Sequence, residues 1–251
     1  SVNTTTASIT AKGVTGSFTA VSKIYDATTA TTVLNRALTG VIAGDVGSVS
    51  LTGGTGTFAD KNVGTGKTVT LVGATLTGAQ AGNYTLTSVA TTTADITVRG
   101  ITGNFTAQSK VYDATTAATV ATRTLTGVQG TDVVSLTGGT ATFADKNAGI
   151  NKTVTLTGAT LIGVASGNYS LTSVGTTTAN ITALGITGGF AADNKVYDAT
   201  TDAVVLFTDL TGFFATDDVS LDGGLATFNN ANAGLNKTVT LTGATLIGVD
   251  A

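Results

Sequence analysis

Cys, His, Trp, Met, Pro and Glu are all absent from the 251-residue sequence, and its fifteen acidic residues are all Asp. Each absence removes a class of chemistry. Without Cys or His there is no thiolate or imidazole ligand, which excludes a structural zinc site. Without His there is no side chain that ordinarily titrates near neutrality to act as a general base. Without Cys the fold relies on no disulfide, and this suits an exported chain as well as a cytosolic one. Charge is also scarce, at 11% of residues with a net charge of −3. A basic stripe for nucleic acid is therefore missing, and nucleic acid is not an expected partner. No uninterrupted apolar run is long enough to span a bilayer as a helix. What remains is rich in Thr, Gly, Ala and Val, and 41% of residues are hydrophobic. Thr and Val favour extended backbone and Gly supplies turns, so the chain is expected to fold as β-structure with a surface covered by hydroxyls.

Internal repetition is the strongest signal. Ser22–Ala30 (SKIYDATTA) returns at 109–117 as SKVYDATTA and at 194–202 as NKVYDATTD. Tyr25, Tyr112 and Tyr197 mark steps of 87 and 85 residues. The blocks GTGTFADKNVGTGKTVTLVGATLTG (54–78) and GNYTLTSVATTTADIT (82–97) recur in the same order, the second of them once. A period near 85 is far longer than one coil of a solenoid, which runs to roughly 20–30 residues, and suits a small autonomous β-domain. The expected organisation is a last strand of a preceding repeat at 1–12, since SVNTTTASIT matches SVATTTADIT, followed by repeat 1 at 13–98, repeat 2 at 99–183 and repeat 3 at 184–251, the last without its final strands. The expected fold class is all-β, a tandem array of three small immunoglobulin-like β-sandwich domains. Short joints between them would give an elongated rod.

Within repeat 1, six to eight strands are expected. Val46–Leu51 and Thr55–Phe58 read as strands joined by a tight hairpin at Gly53-Gly54. Lys67–Leu71 (KTVTL) alternates as a half-buried strand, and Tyr84–Val89 and Ala94–Thr97 read as two more. The expected core is Phe18, Tyr25, Leu38, Leu51, Phe58, Val69, Leu71, Leu76, Tyr84, Leu86 and Ile96, with their counterparts in the other repeats.

Two motifs stand out as candidate sites. The first is Lys23, Tyr25 and Asp26, with its copies Lys110, Tyr112, Asp113 and Lys195, Tyr197, Asp198. A Tyr-Asp pair can contact a ligand. The structural reading, with Tyr in the core and Asp opening an Asx turn, is favoured for a motif that recurs once per domain. The second is Asp60-Lys61-Asn62 and Asp145-Lys146-Asn147. It admits a calcium loop, an intramolecular Lys–Asn isopeptide staple or a plain turn. The third copy, Asn230-Ala231-Asn232, has neither Asp nor Lys, which favours the turn. Calcium is the only cofactor the sequence admits, and its candidate ligands are Asp26, Asp45, Asp60, Asp113, Asp132 and Asp145. No catalytic residue and no other cofactor is expected.

The Lys-x-Tyr-Asp-x-Thr-Thr motif, with the downstream Gly-Asn-Tyr block, resembles YDG-type repeats. These are related to the MBG repeats of large bacterial surface proteins and accompany filamentous-haemagglutinin-like regions. The name-giving glycine is Ala27, Ala114 and Ala199 here. The resemblance implies secretion to the cell surface, a stalk, filament or adhesive role, and no catalysis. The expected partners are neighbouring repeats and like chains in a filament. Two other readings follow from the residues themselves. Thr rows at period 2 would suit a module that binds ice or polysaccharide. A Ser1–Thr10 strand from one copy that completes the third repeat of another would make a filament by strand exchange.

Overall fold

The computed structural model describes residues 2–251 and consists of strands, short 3-10 turns and loops, with no α-helix among the described residues. No helix is therefore long and apolar enough to cross a membrane.

Repeat 1 contributes eight strands: β1 (Lys12–Ala20), β2 (Lys23–Ile24), β3 (Ala30–Thr31), β4 (Val33–Thr39), β5 (Ser50–Phe58), β6 (Gly64–Thr77), β7 (Tyr84–Val89) and β8 (Thr92–Thr97). They form two mixed sheets, one ordered β4-β1-β7 and the other β2-β8-β6-β5-β3. β1 runs antiparallel to β4 and parallel to β7. β2 runs parallel to β8, whereas β8, β6, β5 and β3 alternate. Alternation explains which faces are buried. In β1, Val14, Gly16 and Phe18 point inward; in β6, Val69 and Leu71 are buried while Thr68 and Thr70 face solvent. Phe18, Tyr25, Leu51, Phe58, Val69, Leu71, Ala94 and Ile96 form one cluster from both sheets. Of the expected core, Leu38, Leu76 and Leu86 are only half-buried, and Val14, Val49 and Ala94 are buried in addition.

The expected hairpin at Gly53-Gly54 does not form. β5 continues through both glycines and pairs with β6 from Ser50↔Thr77 to Phe58↔Val69. Gly53, Gly54 and Gly73 take positive φ, so the residues that would close a turn instead kink two paired strands together. The chain reverses at 59–63, in the Asp-Lys-Asn loop, where Asn62 N donates to Asp60 Oδ1 at 2.8 Å. Val46 belongs to no named strand, and β5 begins at Ser50.

Repeat 2 follows the same order: β9 (Arg99–Ala107), β10 (Lys110–Val111), β11 (Ala117–Ala118), β12 (Val120–Thr126), β13 (Ser135–Phe143), β14 (Gly149–Ile162), β15 (Tyr169–Val174) and β16 (Thr177–Thr182). Repeat 3 holds β17 (Thr187–Ala192), β18 (Val205–Thr211), β19 (Ser220–Asp222), β20 (Leu225–Phe228), β21 (Val239–Thr242) and β22 (Thr245–Ile247). Val2–Ala11 form no strand, and Ser1 lies outside the described residues. The contacts group the chain into two compact units. One comprises Ser1–Asn104, Arg123–Gly138 and Ala159–Val174, and the other comprises Phe105–Thr122, Gly139–Gly158 and Gly175–Ala251. The division passes through repeat 2.

Ala27, Ala114 and Ala199 all sit in the left-handed region, with φ of 65°, 60° and 66°. An L-residue there costs about 1–2 kcal/mol relative to its preferred backbone, and glycine does not incur this cost. Ala199 is exposed, so its Cβ contributes no packing. Ala199→Gly is therefore expected to stabilise repeat 3 by about 0.5–1 kcal/mol once the greater freedom of unfolded glycine is subtracted. A lower denaturation midpoint for this variant would show that the left-handed turn is not strained.

Candidate functional site: the Tyr–Asp–Lys joint

The Lys-x-Tyr-Asp motif divides its labour. Lys23 Nζ lies within 2.9 Å of Asp26 Oδ1, Thr28 O, Thr28 Oγ1 and Ala30 O, and 5.7 Å from the centre of the Phe58 ring. Asp26 Oδ1 also accepts from Thr28 N at 2.9 Å and from Thr28 Oγ1 at 2.8 Å, an Asx turn. The Lys23 ammonium and the Thr28 donors hold the Asp26 carboxyl below the usual carboxylate range, against the effect of its burial. Lys110, Asp113 and Thr115 repeat this geometry over Phe143, with Asp113 lowered to about 2 chiefly by Lys110. In the third copy, Asp198 is lowered to about 2 by the amide of Thr200 and by Lys195.

The tyrosine points elsewhere. Tyr25 is fully buried, and its hydroxyl donates to Asp132 Oδ2 at 2.7 Å, in the next repeat. Tyr169, from the Gly-Asn-Tyr block of that repeat, donates to the same oxygen at 2.6 Å and accepts from Gln129 N at 2.9 Å. Lys61 Nζ donates to Asp132 Oδ1 at 2.9 Å and lies 5.9 Å from the centre of the Tyr25 ring. The two rings meet edge to face, 5.3 Å apart at 77°. Around this centre, Val63 N donates to Asn168 Oδ1 at 2.9 Å, Asn168 Nδ2 donates to Asn62 Oδ1 at 3.2 Å, and Arg99 Nη1 donates to Tyr25 O at 3.4 Å. Asn168 is the one buried polar residue among the described residues, and no buried side-chain N or O there lacks a partner.

The electrostatics follow from this packing. The Asp132 side chain is 5% exposed. Hydrogen bonds from Tyr169, Lys61 and Tyr25 outweigh desolvation and lower its carboxyl to about 2. Burial, together with the Asp132 carboxylate, raises Tyr169 to about 12 and raises Tyr25 in the same direction.

The same joint recurs between repeats 2 and 3 with changed parts. Tyr112 donates to Asp217 Oδ1 at 2.7 Å, and Lys146 reaches Asp217 at 3.3 Å and Asp250 at 3.0 Å. Phe214 occupies the position of Gln129, and its ring meets Tyr112 edge to face at 6.0 Å. In repeat 1 the counterpart acid, Asp45, accepts from Tyr84 at 2.7 Å. In repeat 3 the counterpart tyrosine, Tyr197, is 64% exposed, and Ala231 stands where Lys61 and Lys146 stand.

Of the calcium candidates, Asp26, Asp113, Asp60 and Asp145 are separate turn caps, each paired to a lysine of its own repeat: Lys23, Lys110, Lys67 and Lys152. Asp45 and Asp132 bond tyrosines. Among the described residues, no three acidic side chains gather where they could hold an ion. Sequence reasoning singled out Lys61 and Asp132 only as a turn residue and a candidate ligand. It missed their meeting, as well as the roles of Tyr169, Asn168 and Arg99. One signal was present: Lys61 and Lys146 accompany Tyr25 and Tyr112, whereas the copy with Tyr197 has Ala231.

The YDG domain model matches the chain three times, at residues 5–94, 92–179 and 177–251. Each match begins in a Thr-Thr-Thr segment, at Thr5, Thr92 or Thr177. No curated protein and no solved structure matches the chain.

Proposed function

The chain belongs to the YDG-domain family, and from that premise we propose that it is a non-catalytic structural region, the stalk or filament body of a secreted bacterial surface adhesin. The observation that carries this reading is the joint. Twice, the Tyr of the family motif and the Lys of the following loop are committed to an Asp of the next repeat. In repeats 1 and 2 the motif's Lys and Asp bond each other and their own turn while its Tyr bonds the next repeat, and this supports an architectural role. Buried, multiply bonded contacts between consecutive domains resist bending, as a stalk requires. Each repeat is read as a small immunoglobulin-like sandwich. The support is two sheets whose apolar faces share one core, although the parallel pairs β1–β7 and β2–β8 depart from the purely antiparallel pattern. An extracellular location is consistent with a fold that needs no thiols and a surface of Thr hydroxyls. Electron images of the chain should show beaded rods on the order of 100 Å long, from about 3.3 Å per strand residue. Compact particles, or beads with freely varying angles, would overturn the stalk reading.

A further inference from the structure

Repeats 1 and 2 each tie their first strands to their last ones in parallel. β1 runs beside β7 from Lys12↔Tyr84 to Gly16↔Val89, and β2 runs beside β8 at Lys23↔Ile96 and Ile24↔Thr97. In repeat 2 the corresponding pairs are β9–β15 and β10–β16. Side chains and flanking amides reinforce both pairs. Thr87 Oγ1 donates to Val14 O at 2.9 Å, where the register shifts, and Ala90 N donates to Gly16 O at 2.8 Å. A Cβ on Gly13 would lie 2.9 Å from Thr87 Cγ2, so the glycine lets β1 and β7 approach this closely. Tyr25 N donates to Thr97 O at 2.9 Å, Thr97 Oγ1 to Lys23 O at 3.3 Å, and Asp95 N to Ser22 Oγ at 2.9 Å. Repeat 2 has the same devices: Thr172 Oγ1 donates to Ile101 O at 3.0 Å, Tyr112 N to Thr182 O at 2.8 Å, and Asn180 N to Ser109 Oγ at 3.0 Å.

Tension along the chain enters repeat 1 at the start of β1 and leaves it at the end of β8. The antiparallel neighbours of these two strands meet the load at one end. Thr15 pairs with Thr39 near the start of β1, and Ile96 pairs with Gly64 near the end of β8. Such pairs open one hydrogen bond at a time. A parallel pair is loaded differently. β1 is drawn by its N-terminal end, and β7, reached through β8, by its C-terminal end. The two strands must slide along each other, and every bond between them carries the load together. β2, reached through β1, stands in the same relation to β8. Forced unfolding is governed by the unfolding barrier, and a row of bonds that must break together raises that barrier more than bonds that break in turn. Only Val98 lies between β8 and β9, so the load that leaves one set of parallel pairs enters the next. We propose that these paired first and last strands are tension clamps, and that repeats 1 and 2 bear pulling force along the chain. This goes beyond the stalk reading, since a stalk that resists bending need not resist tension.

The direction of pull supplies the test. The sequence has no Cys, so two introduced thiols are unique attachment points for handles on the full 251-residue chain. Ala11, Val21, Ala90 and Val98 are exposed and lie outside the strands, so cysteine at these positions leaves the fold intact. Ala11→Cys with Val98→Cys loads repeat 1 in the direction of the chain. Val21→Cys with Ala90→Cys draws apart the C-terminal ends of β1 and β7 and unzips the same pair. In optical tweezers at one loading rate, the first variant should unfold at severalfold the force of the second. Adding Thr87→Val to the first variant removes the hydroxyl bond to Val14 O from the row and should lower its unfolding force. Equal forces along the two directions overturn the proposal, while the stalk reading keeps its separate test in the electron images. An unfolding force that Thr87→Val leaves unchanged removes the β1–β7 pair from the clamp.

Discussion

Phe58→Ala is expected to cost about 3–5 kcal/mol of stability, read from the denaturation midpoint of the first transition at constant slope. Phe58 is 2% exposed at the end of β5, where it pairs across to Val69, and the Lys23 ammonium sits over its ring. Truncation removes the largest apolar group at that end of the sheet. It also leaves Lys23 without its aromatic face. The loss should not stay within the repeat. The cluster that contains Phe58, Tyr25 and Ile96 also contains Ile101 and Tyr169 of the next repeat. The sequence alone suggests small autonomous β-domains, and on that view the effect would stay mainly within the substituted repeat. A core that runs through Tyr25 into Tyr169 predicts that the second transition shifts as well. A midpoint within error of wild type would remove Phe58 from the core.

Strands that obey a local rule were legible. Lys67–Leu71 alternates strictly and falls inside β6, and Tyr84–Val89 coincides with β7. The tight hairpin at Gly53-Gly54 was misread because positive φ serves a turn and a strand kink equally well. The arbiter is Gly73 on the partner strand, which takes a φ of 78° close to Gly54 at 76°. That pairing is non-local, and no window around Gly53 contains it. The joint was illegible for the same reason. Tyr25 and Asp132 are 107 residues apart, and Lys61 and Asp132 are 71 apart. The repeat period shows that Tyr25, Asp45 and Lys61 each recur, yet it does not show that one repeat's tyrosine finds the next repeat's acid. The Asx turn at Asp26 spans two residues, and a two-residue span is what residue chemistry alone can specify.

Asp132→Ala is expected to cost about 3–5 kcal/mol, because it strips the carboxylate from two buried tyrosine hydroxyls and a lysine at once. Asp45→Ala removes the same residue type from the equivalent loop of repeat 1. There only Tyr84 loses an acceptor, and the expected cost is about 1–2 kcal/mol. The difference between the two variants measures the joint. The pH dependence should agree in sign. Asp132 is lowered to about 2 when folded, against about 3.9 when unfolded. Its contribution is therefore complete above about pH 4 and disappears as the pH falls from about 4 towards 2. Tyr169 is raised to about 12, against about 10 when unfolded. Its contribution is complete below about pH 10 and is lost as the pH rises towards 12. Calorimetry of the wild-type chain should show a neutral plateau with losses in both windows. Asp132→Ala should remove only the share of the acid loss that Asp132 contributes, while that of Asp113 and Asp198, also lowered to about 2, remains. Equal costs for Asp45→Ala and Asp132→Ala would assign this carboxylate to its own loop alone and remove the joint from the stability of the array.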